Sequence, residues 1–428
     1  MADVKNILVF PAGTEISFEI HHALRSSKFV KLFGATSVPC HAEFLYENCA
    51  EGLPYPAAPN FIDELNQVID RFHIDYVYPA HDSAILTLTR EQERLHAPVV
   101  TSELETVEIC RSKNKTYRFL EGADYLPRFF SGIDEIEQYP VFIKPSVGQG
   151  SVGARLIGDR DELARALSDG EEYAICEYLP GQEFTVDCFT DRHGELRFVS
   201  SRSRDRIRAG ISVRSHFLPR DERIEQIARD INSRFKFNGA WFFQVKENAK
   251  GQYRLMEVAP RIAGTMGLAR NLGVNMPLLT LYNMWGFDIN ILNNENQLIL
   301  DRAFISRFKS DIEYDNVYVD YDDTIVFEEQ VNPYLMAFLY QARNKGKKLY
   351  LLSKHRGDLM EDMARHCIDP GMFEEIIWLK REDNKAEHIK GKAIFIDDSF
   401  AERKRVRESC GVPVFDLDMV ESLLDWRA

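Results

Sequence analysis

The start of the chain alternates short apolar runs with amphipathic stretches. Residues 7–10 form an apolar run that predicts a buried strand. The glycine-bearing turn after them leads into a segment whose apolar positions recur every four residues, as in a helix. Residues 65–72 have the same helical spacing, and residues 76–79 are typical of the next buried strand. This alternation predicts an α/β fold with a parallel sheet over residues 1–110.

The hydrophobic pattern changes twice further along the chain. Beyond residue 110, short strands and glycine loops alternate with helices rich in Arg and Lys, and a polar stretch at residues 294–301 ends this region. A new α/β pattern begins with the apolar run at residues 317–319. The chain is therefore expected to combine α/β and α+β folds in three domains, at residues 1–110, 111–298 and 299–428.

Composition narrows the class of protein. The 428 residues are 45% hydrophobic and 28% charged, which is typical of a globular chain, and the net charge of −14 argues against a general nucleic-acid binder. Seven scattered cysteines without a Cys-x-x-Cys pair suggest neither a zinc site nor a disulfide framework. No apolar run has the length of a membrane span, and no leader-like segment opens the chain. We expect a cytoplasmic protein without a membrane or nucleic-acid partner.

Residues 139–153 join an apolar strand to a loop of small residues. Glycines let backbone N–H groups approach phosphate oxygens closely, a serine adds a hydroxyl, and a strand-bound lysine neutralises negative charge. The segment therefore predicts a phosphate-binding loop. Its candidate residues are Lys144, Gly148, Gly150, Ser151 and Gly153.

Together with other segments that match in order, this loop resembles the ATP-grasp superfamily over residues 1–295. The resemblance is closer to members similar to the large subunit of carbamoyl phosphate synthase and to amino-acid ligases. It implies a Rossmann-like domain before the ATP-grasp domain. It also implies ATP as cofactor, bound by Lys113 at the phosphates, by Glu177, Tyr178 and Leu179 at adenine and by Glu183 at ribose. Asp187, on the following strand, is interpreted as structural.

The same resemblance implies a metal site at Gln244 and Glu257, whose oxygen atoms suit Mg²⁺ or Mn²⁺. The family pattern Glu-x-Asn-Pro-Arg has Ala259 in place of Asn, which leaves open whether one or two metal ions bind. Arg261 keeps its place, and its planar fork suits a transferred phosphoryl group or a substrate carboxylate. A basic segment resembles the family's substrate-side loop but is equally typical of a solvated hairpin; it contains Arg206, Arg208 and Ser212.

The apolar run at residues 317–319 is followed by two acids, Asp320 and Asp322. At the end of a strand, acids with this spacing can divide a phosphoryl transfer between them. One attacks phosphorus, and the other protonates the leaving oxygen. Three further features arrive in order along the chain. They are Ser353 after an apolar strand, Lys385 with Lys380 as its competitor, and Asp397 and Asp398 after another apolar strand.

These segments together resemble the haloacid dehalogenase (HAD) superfamily over residues 312–428. The resemblance implies a phosphatase with Asp320 as nucleophile and Asp322 as general acid. It implies a phosphoryl site at Ser353 and Lys385 and a Mg²⁺ site at Asp320, Asp322, Asp397 and Asp398. Only 28 residues separate Thr324 from Ser353, and 31 separate Ser353 from Lys385. Neither gap can hold a cap domain in addition to a crossover helix, so we expect a site that is open or is covered by the ligase region, a partner subunit or a large substrate.

The sequence therefore predicts an ATP-dependent carboxylate–amine ligase that acts through an acyl phosphate, fused to a Mg²⁺-dependent phosphatase. Two alternatives remain: an ATP-grasp kinase of small molecules, and a sensor in which ATP binding regulates the phosphatase domain. The expected substrates are a carboxylic acid or amino acid, a nucleophile and a phosphorylated metabolite. A homodimer is the default expectation for the assembly.

Overall fold

The computed structural model describes residues 3–148, 150 and 152–427. The chain forms two compact units, Met1–Phe304 and Ile305–Ala428. The boundary expected from sequence, between residues 298 and 299, falls within the first unit, and this unit also contains both of the predicted N-terminal domains. No helix in the described part of the chain has the length and apolar character needed to cross a bilayer.

The first unit combines fifteen strands and nine α-helices among its described residues. The strands are β1 Lys5–Phe10, β2 Val30–Ala35, β3 Cys49–Ala50, β4 Tyr76–Pro79, β5 Phe129–Phe130, β6 Val141–Pro145, β7 Arg155–Ile157, β8 Tyr173–Glu177, β9 Glu183–Thr190, β10 Leu196–Ser203, β11 Arg206–Arg208, β12 Ile211–His216, β13 Gly239–Glu247, β14 Tyr253–Ala259 and β15 Ile299–Asp301. The helices are α1 Glu15–Leu24, α2 Phe61–Phe72, α3 Asp82–Arg90, α4 Leu104–Arg111, α5 Lys113–Phe119, α6 Arg160–Leu167, α7 Glu222–Arg234, α8 Gly267–Asn271 and α9 Met276–Met284.

The first sheet is parallel, with strand order β3-β2-β1-β4. Successive side chains of a strand point to opposite faces, and β1 follows this rule. Ile7 and Val9 lie in one hydrophobic core with helix α1, whereas Leu8 and Phe10 lie in a second core with helix α2. The apolar run at the start of the chain thus forms a strand buried on both faces, as its pattern predicted.

Three antiparallel sheets follow in the first unit, with strand orders β5-β8-β6-β7, β10-β9-β13-β14 and β11-β12-β15. In the second of these sheets, Gln244 of β13 and Glu257 of β14 are register partners. Asp187 of β9 forms a buried ion pair with Arg202 of β10, with 2.6 Å between Oδ2 and Nε. That pair spans adjacent strands within the sheet, so the structure agrees with a structural role for Asp187.

The second unit contains a parallel sheet with strand order β20-β19-β16-β21-β22 and a hairpin formed by β17 and β18. Its strands are β16 Asn316–Val319, β17 Val326–Phe327, β18 Gln330–Val331, β19 Lys348–Ser353, β20 Glu375–Trp378, β21 Ala393–Ile396 and β22 Val414–Phe415. Its helices are α10 Pro333–Asn344, α11 Leu359–Arg365 and α12 Phe400–Cys410. The central strand β16 is apolar and buried, because sheet neighbours lie on both sides of it.

The two short gaps in the second unit are filled by the crossovers of the parallel sheet. The hairpin and helix α10 lie between Thr324 and Ser353, and helix α11 and strand β20 lie between Ser353 and Lys385. Because parallel strands run in one direction, the segments after β16, β19 and β21 emerge at the same edge of the sheet. Asp320 and Asp397 begin the segments after β16 and β21, and Ser353 is the last residue of β19.

Candidate active sites

A cavity of about 280 Å³ in the first unit brings together most of the residues predicted to bind ATP. Strands β6, β8, β9, β13 and β14, the loop after β6 and the start of helix α5 contribute to its lining. The predicted residues that line it are Lys113, Lys144, Gly148, Gly150, Glu177, Tyr178, Leu179, Glu183, Gln244 and Glu257. Ser151 lies outside the described residues.

Two lysines with different environments face this cavity. Lys144 is buried on β6, where its Nζ donates a 2.8 Å hydrogen bond to the carbonyl of Met256 and lies 5.4 Å from the centre of the Tyr117 ring. Lys113 begins helix α5, and its Nζ lies 3.4 Å from the carbonyl of Gly148. Burial lowers the pKa of Lys113, and the charge of Lys144 adds to this effect against the attraction of Glu257. A negatively charged ligand in the cavity would therefore stabilise the charged form of Lys113.

The glycine loop after β6 touches the turn between β11 and β12. A side chain at Gly210 would overlap the backbone of Gly150, so these two segments approach each other at backbone distance. Gly153 has a positive φ of 75° and lies over Pro145, which places it in the loop but not in the cavity lining.

The predicted basic loop is a hairpin, with its arginines on strand β11. Arg206 and Arg208 are both exposed, and Arg206 pairs with Asp301 of β15. Ser212 lies on β12 and shares a 2.8 Å hydrogen bond with Ser215. The turn of the hairpin, and not its arginines, approaches the glycine loop.

The residues predicted to bind adenine lie where β8 ends. Both Leu179 and Tyr178 line the cavity, but Leu179 is buried, whereas Tyr178 has 41% of its surface exposed. The carboxylate of Glu177 accepts a 2.9 Å hydrogen bond from the backbone N–H of Arg128 and lies 3.6 Å from Nε of Arg254. This carboxylate is therefore already engaged by protein groups, while the backbone of the segment borders the cavity.

Glu183, the candidate for ribose binding, is paired with an arginine that the sequence did not identify. Its Oε1 lies 3.0 Å from Nε of Arg204, and Nη2 of Arg204 donates a 3.0 Å hydrogen bond to the carbonyl of Gly210. Arg204 lies in the cavity lining as well. Its signal was its position in an Arg-rich run just before β11, but nothing local distinguished it from the exposed arginines nearby.

Gln244 and Glu257 lie side by side, because they are register partners on β13 and β14, and both line the cavity. Side chains at paired positions share one face of a sheet, so one ion can contact both. Ala259 is buried two residues further along β14, opposite Phe242, and supplies only a methyl group.

Arg261 is paired with a protein carboxylate. The sequence predicted a guanidinium that clamps a phosphoryl group or a carboxylate, but the structure pairs Arg261 with Asp82 of helix α3. The distances are 2.5 Å from Nε to Oδ1 and 2.7 Å from Nη2 to Oδ2. Burial alone would raise the pKa of Asp82, but Arg261 outweighs burial and lowers it to about 2. Arg261 thus uses its fork on a protein carboxylate, beside a smaller cavity of about 80 Å³ that Arg111, Lys113 and Glu257 also line.

The carboxyl edge of the sheet in the second unit holds a compact group of charged residues. Lys385 is buried between two carboxylates, with its Nζ 2.9 Å from Oδ1 of Asp320 and 2.7 Å from Oδ2 of Asp397. Ser353, at the end of β19, is also buried at this edge. Lys380, the competing candidate, is exposed, and its backbone N–H bonds to Asp383. The structure thus brings Lys385, and not Lys380, to the acids.

Burial raises the pKa values of two acids in this group. It raises the pKa of Asp397 to about 7, with the neighbouring Asp320 adding to the effect and Lys385 opposing it. Burial also raises the pKa of Asp320 against the attraction of Lys385. Burial alone would lower the pKa of Lys385, but the two carboxylates outweigh it and raise it. The three groups therefore titrate as one unit, and a cation beside the acids would favour their charged forms.

Three carboxylates in this group fit a metal ion. Oxygen atoms of Asp320, Asp397 and Asp398 all lie within 4.8 Å of one another, and such oxygen ligands suit Mg²⁺. Asp322 was also predicted as a metal ligand, but it is not a member of this group. Its Oδ1 lies 2.8 Å from Nδ1 of His355, a residue that the sequence did not identify.

Comparisons with known proteins bear on the first of these sites. Residues 170–317 match the family described as "ATP-grasp in the biosynthetic pathway with Ter operon". A D-alanine–D-alanine ligase of Bacillus anthracis is 28% identical over 124 residues, an alignment that covers 26% of this chain and 40% of the relative. The chain thus spans about two fifths of the length of the curated relatives that it matches first.

Solved structures extend the likeness to about two thirds of the chain. An L-amino acid ligase from Bacillus licheniformis superposes with a TM-score of 0.52 at 20% identity, covering 66% of this chain and 74% of its own. The biotin carboxylase domain of 2-oxoglutarate carboxylase from Hydrogenobacter thermophilus, solved with MgADP and bicarbonate, superposes with a TM-score of 0.57 at 13% identity. That match covers 70% of this chain and 74% of the domain. Over residues 170–317 the chain is therefore similar to ATP-grasp proteins, and about two thirds of it shares their mixed α/β fold.

Proposed function

We propose that the first unit is an ATP-dependent ligase that activates a carboxylate as an acyl phosphate and transfers the acyl group to an amine or a related nucleophile. The observation that carries this proposal is the cavity in which Lys113, Lys144, Gln244 and Glu257 come together. The similar ligases, and a similar carboxylase domain solved with MgADP and bicarbonate, support it.

The cavity lining suggests how the nucleotide is bound. Leu179 would pack against adenine, and the backbone beside Tyr178 would supply its hydrogen bonds, since the carboxylate of Glu177 is engaged elsewhere. Glu183 would accept hydrogen bonds from ribose. Lys113 and Lys144 would contact the phosphates, and the lowered pKa of Lys113 fits a site built for an anion.

The donor set also fits a divalent cation. Glu257 supplies a carboxylate and Gln244 an amide oxygen, which are ligands of the type that Mg²⁺ prefers. Bound there, the ion would neutralise charge on the phosphates during phosphoryl transfer. Ala259 offers no ligand atom. The lysines would stabilise the charge that develops on the transferred group, while the glycine loop would exclude water.

A kinase that stops after phosphorylation is the second candidate. The pairing of Arg261 with Asp82 favours it, because the Arg261 guanidinium is then engaged by a protein carboxylate and does not bind the substrates of a second, ligating step. ADP release separates the candidates. A ligase should release ADP at full rate only when both a carboxylate and an amine are supplied, tested with pairs of amino acids. A kinase should do so with one substrate. Binding of ATP without any turnover would favour the sensor.

We propose that the second unit is a Mg²⁺-dependent phosphohydrolase of the HAD type. Asp320 would attack phosphorus, Ser353 and Lys385 would bind the phosphoryl oxygens, and Asp322 would protonate the leaving group. The support is the position of Lys385 between Asp320 and Asp397, next to Asp398. The crossovers fill both short gaps, which supports an active site without a separate cap.

The phosphatase proposal can be tested on the full chain with p-nitrophenyl phosphate and Mg²⁺. Hydrolysis should depend on the metal and should be lost in Asp320→Asn. The matched control is Asp323→Asn, because Asp323 is an exposed acid three residues away with a positive φ of 51° that Asn also tolerates. Equal rates of p-nitrophenyl phosphate hydrolysis in Asp320→Asn and the parent would contradict the phosphatase proposal.

A further inference from the structure

Trp378 is a large aromatic side chain with 48% of its surface exposed at the carboxyl end of β20. It is the register partner of Ser353 on the neighbouring parallel strand β19. Partners in register share one face of a sheet. The indole therefore lies beside a residue of the proposed phosphoryl site, at the edge of the sheet where the charged group is found.

The position of the indole is fixed by a short chain of contacts. Its Nε1 donates a 3.0 Å hydrogen bond to the backbone carbonyl of His355, and Nδ1 of the same His355 lies 2.8 Å from Oδ1 of Asp322. The His355 ring is also held edge-on by Tyr321, with 5.5 Å between ring centres. One residue thus connects the exposed indole to the proposed general acid, and the polar N–H is satisfied without covering the ring.

The general acid defines the side on which the leaving group lies. Asp322 must reach the ester oxygen that departs, so the organic part of the substrate extends from that oxygen on the Asp322 side of the site. The next groups on this side are His355 and the exposed face of Trp378. An aromatic face that is held in place at the rim of a site favours stacking with a planar ring.

We propose that Trp378 is a substrate-binding residue that stacks on a planar ring in the leaving group, and that the second unit acts on phosphate esters of ring-bearing alcohols. This inference rests on the proposed phosphatase function. In the covalent step the Asp320 carboxylate forms the bond to phosphorus as the bond to the ester oxygen breaks, and that oxygen takes the proton from Asp322. The ring-bearing alcohol leaves on the Trp378 side.

A second exposed aromatic residue provides a contrast. Phe400 is 72% exposed and follows Asp398 at the start of helix α12. Strands β20 and β21 lie on opposite sides of β16 in the sheet, so Phe400 and Trp378 flank Asp320 from opposite sides. Of these two exposed aromatic residues, Trp378 is the one connected to Asp322 through His355.

Two aryl esters of similar leaving-group chemistry test the proposal on the full chain with Mg²⁺. In phenyl phosphate the one ring lies next to the ester oxygen and would be placed beside His355, whereas 2-naphthyl phosphate extends a second ring further from the phosphate, toward Trp378. Trp378→Ala should lower kcat/KM for 2-naphthyl phosphate about five- to tenfold and that for phenyl phosphate less than about twofold, as expected for one aromatic stacking contact. Trp378→Phe should keep most of the preference for the larger ester. Phe400→Ala should leave the ratio of the two kcat/KM values unchanged.

Three outcomes would overturn the inference while the phosphatase proposal stands. The first is a Trp378→Ala variant in which the ratio of kcat/KM for 2-naphthyl phosphate to that for phenyl phosphate equals the ratio in the parent. The second is a Trp378→Phe variant that behaves like Trp378→Ala, which would assign the effect to the Nε1 hydrogen bond and not to the ring. The third is a fall of the ratio in Phe400→Ala alone. If Asp320→Asn hydrolysed both esters as the parent does, the phosphatase proposal itself would fail, and the inference with it.

Discussion

Arg261 donates hydrogen bonds to both carboxylate oxygens of Asp82, at 2.5 Å and 2.7 Å, across 179 positions of sequence. Both side chains are 16% exposed. The pair ties helix α3, which follows the last strand of the parallel sheet, to the segment after β14. Since a buried charge is stable only with its partner, the two residues act as one structural unit beside the cavity of about 80 Å³.

Asp82→Asn should destabilise the first unit, and the loss should depend on pH. The pKa of Asp82 is lowered to about 2 in the folded protein and is about 3.9 in an unfolded chain. A lowered pKa contributes stability above the unfolded value and loses it as pH falls toward the folded value. The contribution here is about 3 kcal/mol. In urea unfolding, the difference between Asp82→Asn and the parent should narrow from pH 7 to pH 3.

Asp63→Asn is the control for that experiment, because Asp63 is an exposed partner of Arg94. Its substitution should change the free energy of unfolding by less than about 1 kcal/mol. A difference between Asp82→Asn and the parent that stays constant from pH 7 to pH 3 would show that the charge of Asp82 does not stabilise the fold.

Local patterns predicted the residues that lie within one strand and its following loop. Lys144, Asp320 and Asp397 each follow from an apolar strand with its neighbouring motif, whereas Glu257 follows from the family resemblance. The structure brings these residues to two sites. Such motifs can be predicted from sequence, because the alternation of a strand and the composition of the loop after it are both set by residues close together in the chain.

Ion pairs at the two sites were not predictable from the sequence, because each pair joins distant parts of the chain. Asp82 with Arg261, Glu183 with Arg204 and Asp322 with His355 all depend on which helices and strands become neighbours. The first unit extends past residue 298 for a related reason. Strand β15 has only three residues and pairs with β12 at a sheet edge, so its pattern resembles a linker.

Lys144→Met should lower the rate of ADP release by about 10² to 10³ while the fold persists. The substitution keeps an unbranched side chain and removes the ammonium group, which lies 5.4 Å from the centre of the Tyr117 ring, bonds to the carbonyl of Met256 and belongs to the cavity lining. Lys115→Met is the matched control, since Lys115 lies on helix α5 with its side chain exposed. Equal rates of ADP release in the two variants would contradict the role proposed for Lys144.

Gly210→Ala should weaken ATP binding at least tenfold, because the new side chain would collide with the backbone of Gly150 and displace the glycine loop. Gly194→Ala separates this effect from backbone strain. Gly194 has a φ of 81° and Gly210 a φ of 75°, but a side chain at Gly194 meets nothing within 4 Å. Gly194→Ala should lose about 1 to 2 kcal/mol of stability through its positive φ alone, and Gly210→Ala should lose more, because its side chain also collides with backbone. Calorimetric titration with a non-hydrolysable ATP analogue should show a loss of affinity only in Gly210→Ala.

Mg²⁺ binding to the second unit should weaken as pH falls through 7. The pKa of Asp397 is raised to about 7, mainly by burial, so this acid is protonated below that pH and must release a proton before it can bind a cation. Calorimetry should show an affinity roughly tenfold lower at pH 6 than at pH 8. It should also show proton release into the buffer that increases toward pH 6. The same affinity at both pH values would mean that Asp397 does not bind the ion.

The two acids after β16 should have different kinetic signatures. If Asp320 forms an aspartyl-phosphate, Asp320→Asn should abolish hydrolysis of p-nitrophenyl phosphate without any covalent intermediate. Asp322 would protonate the leaving group and then activate water, so Asp322→Asn should slow both steps. Because p-nitrophenolate leaves readily without a proton, the first step should be slowed less than the second, and phosphoenzyme should accumulate.

His355 contacts Asp322 at 2.8 Å, so His355→Gln should have the same effects as Asp322→Asn but smaller ones. Intact-mass measurement after rapid acid quench detects the added phosphoryl group, and its presence in Asp320→Asn would reverse the assignment of the two acids.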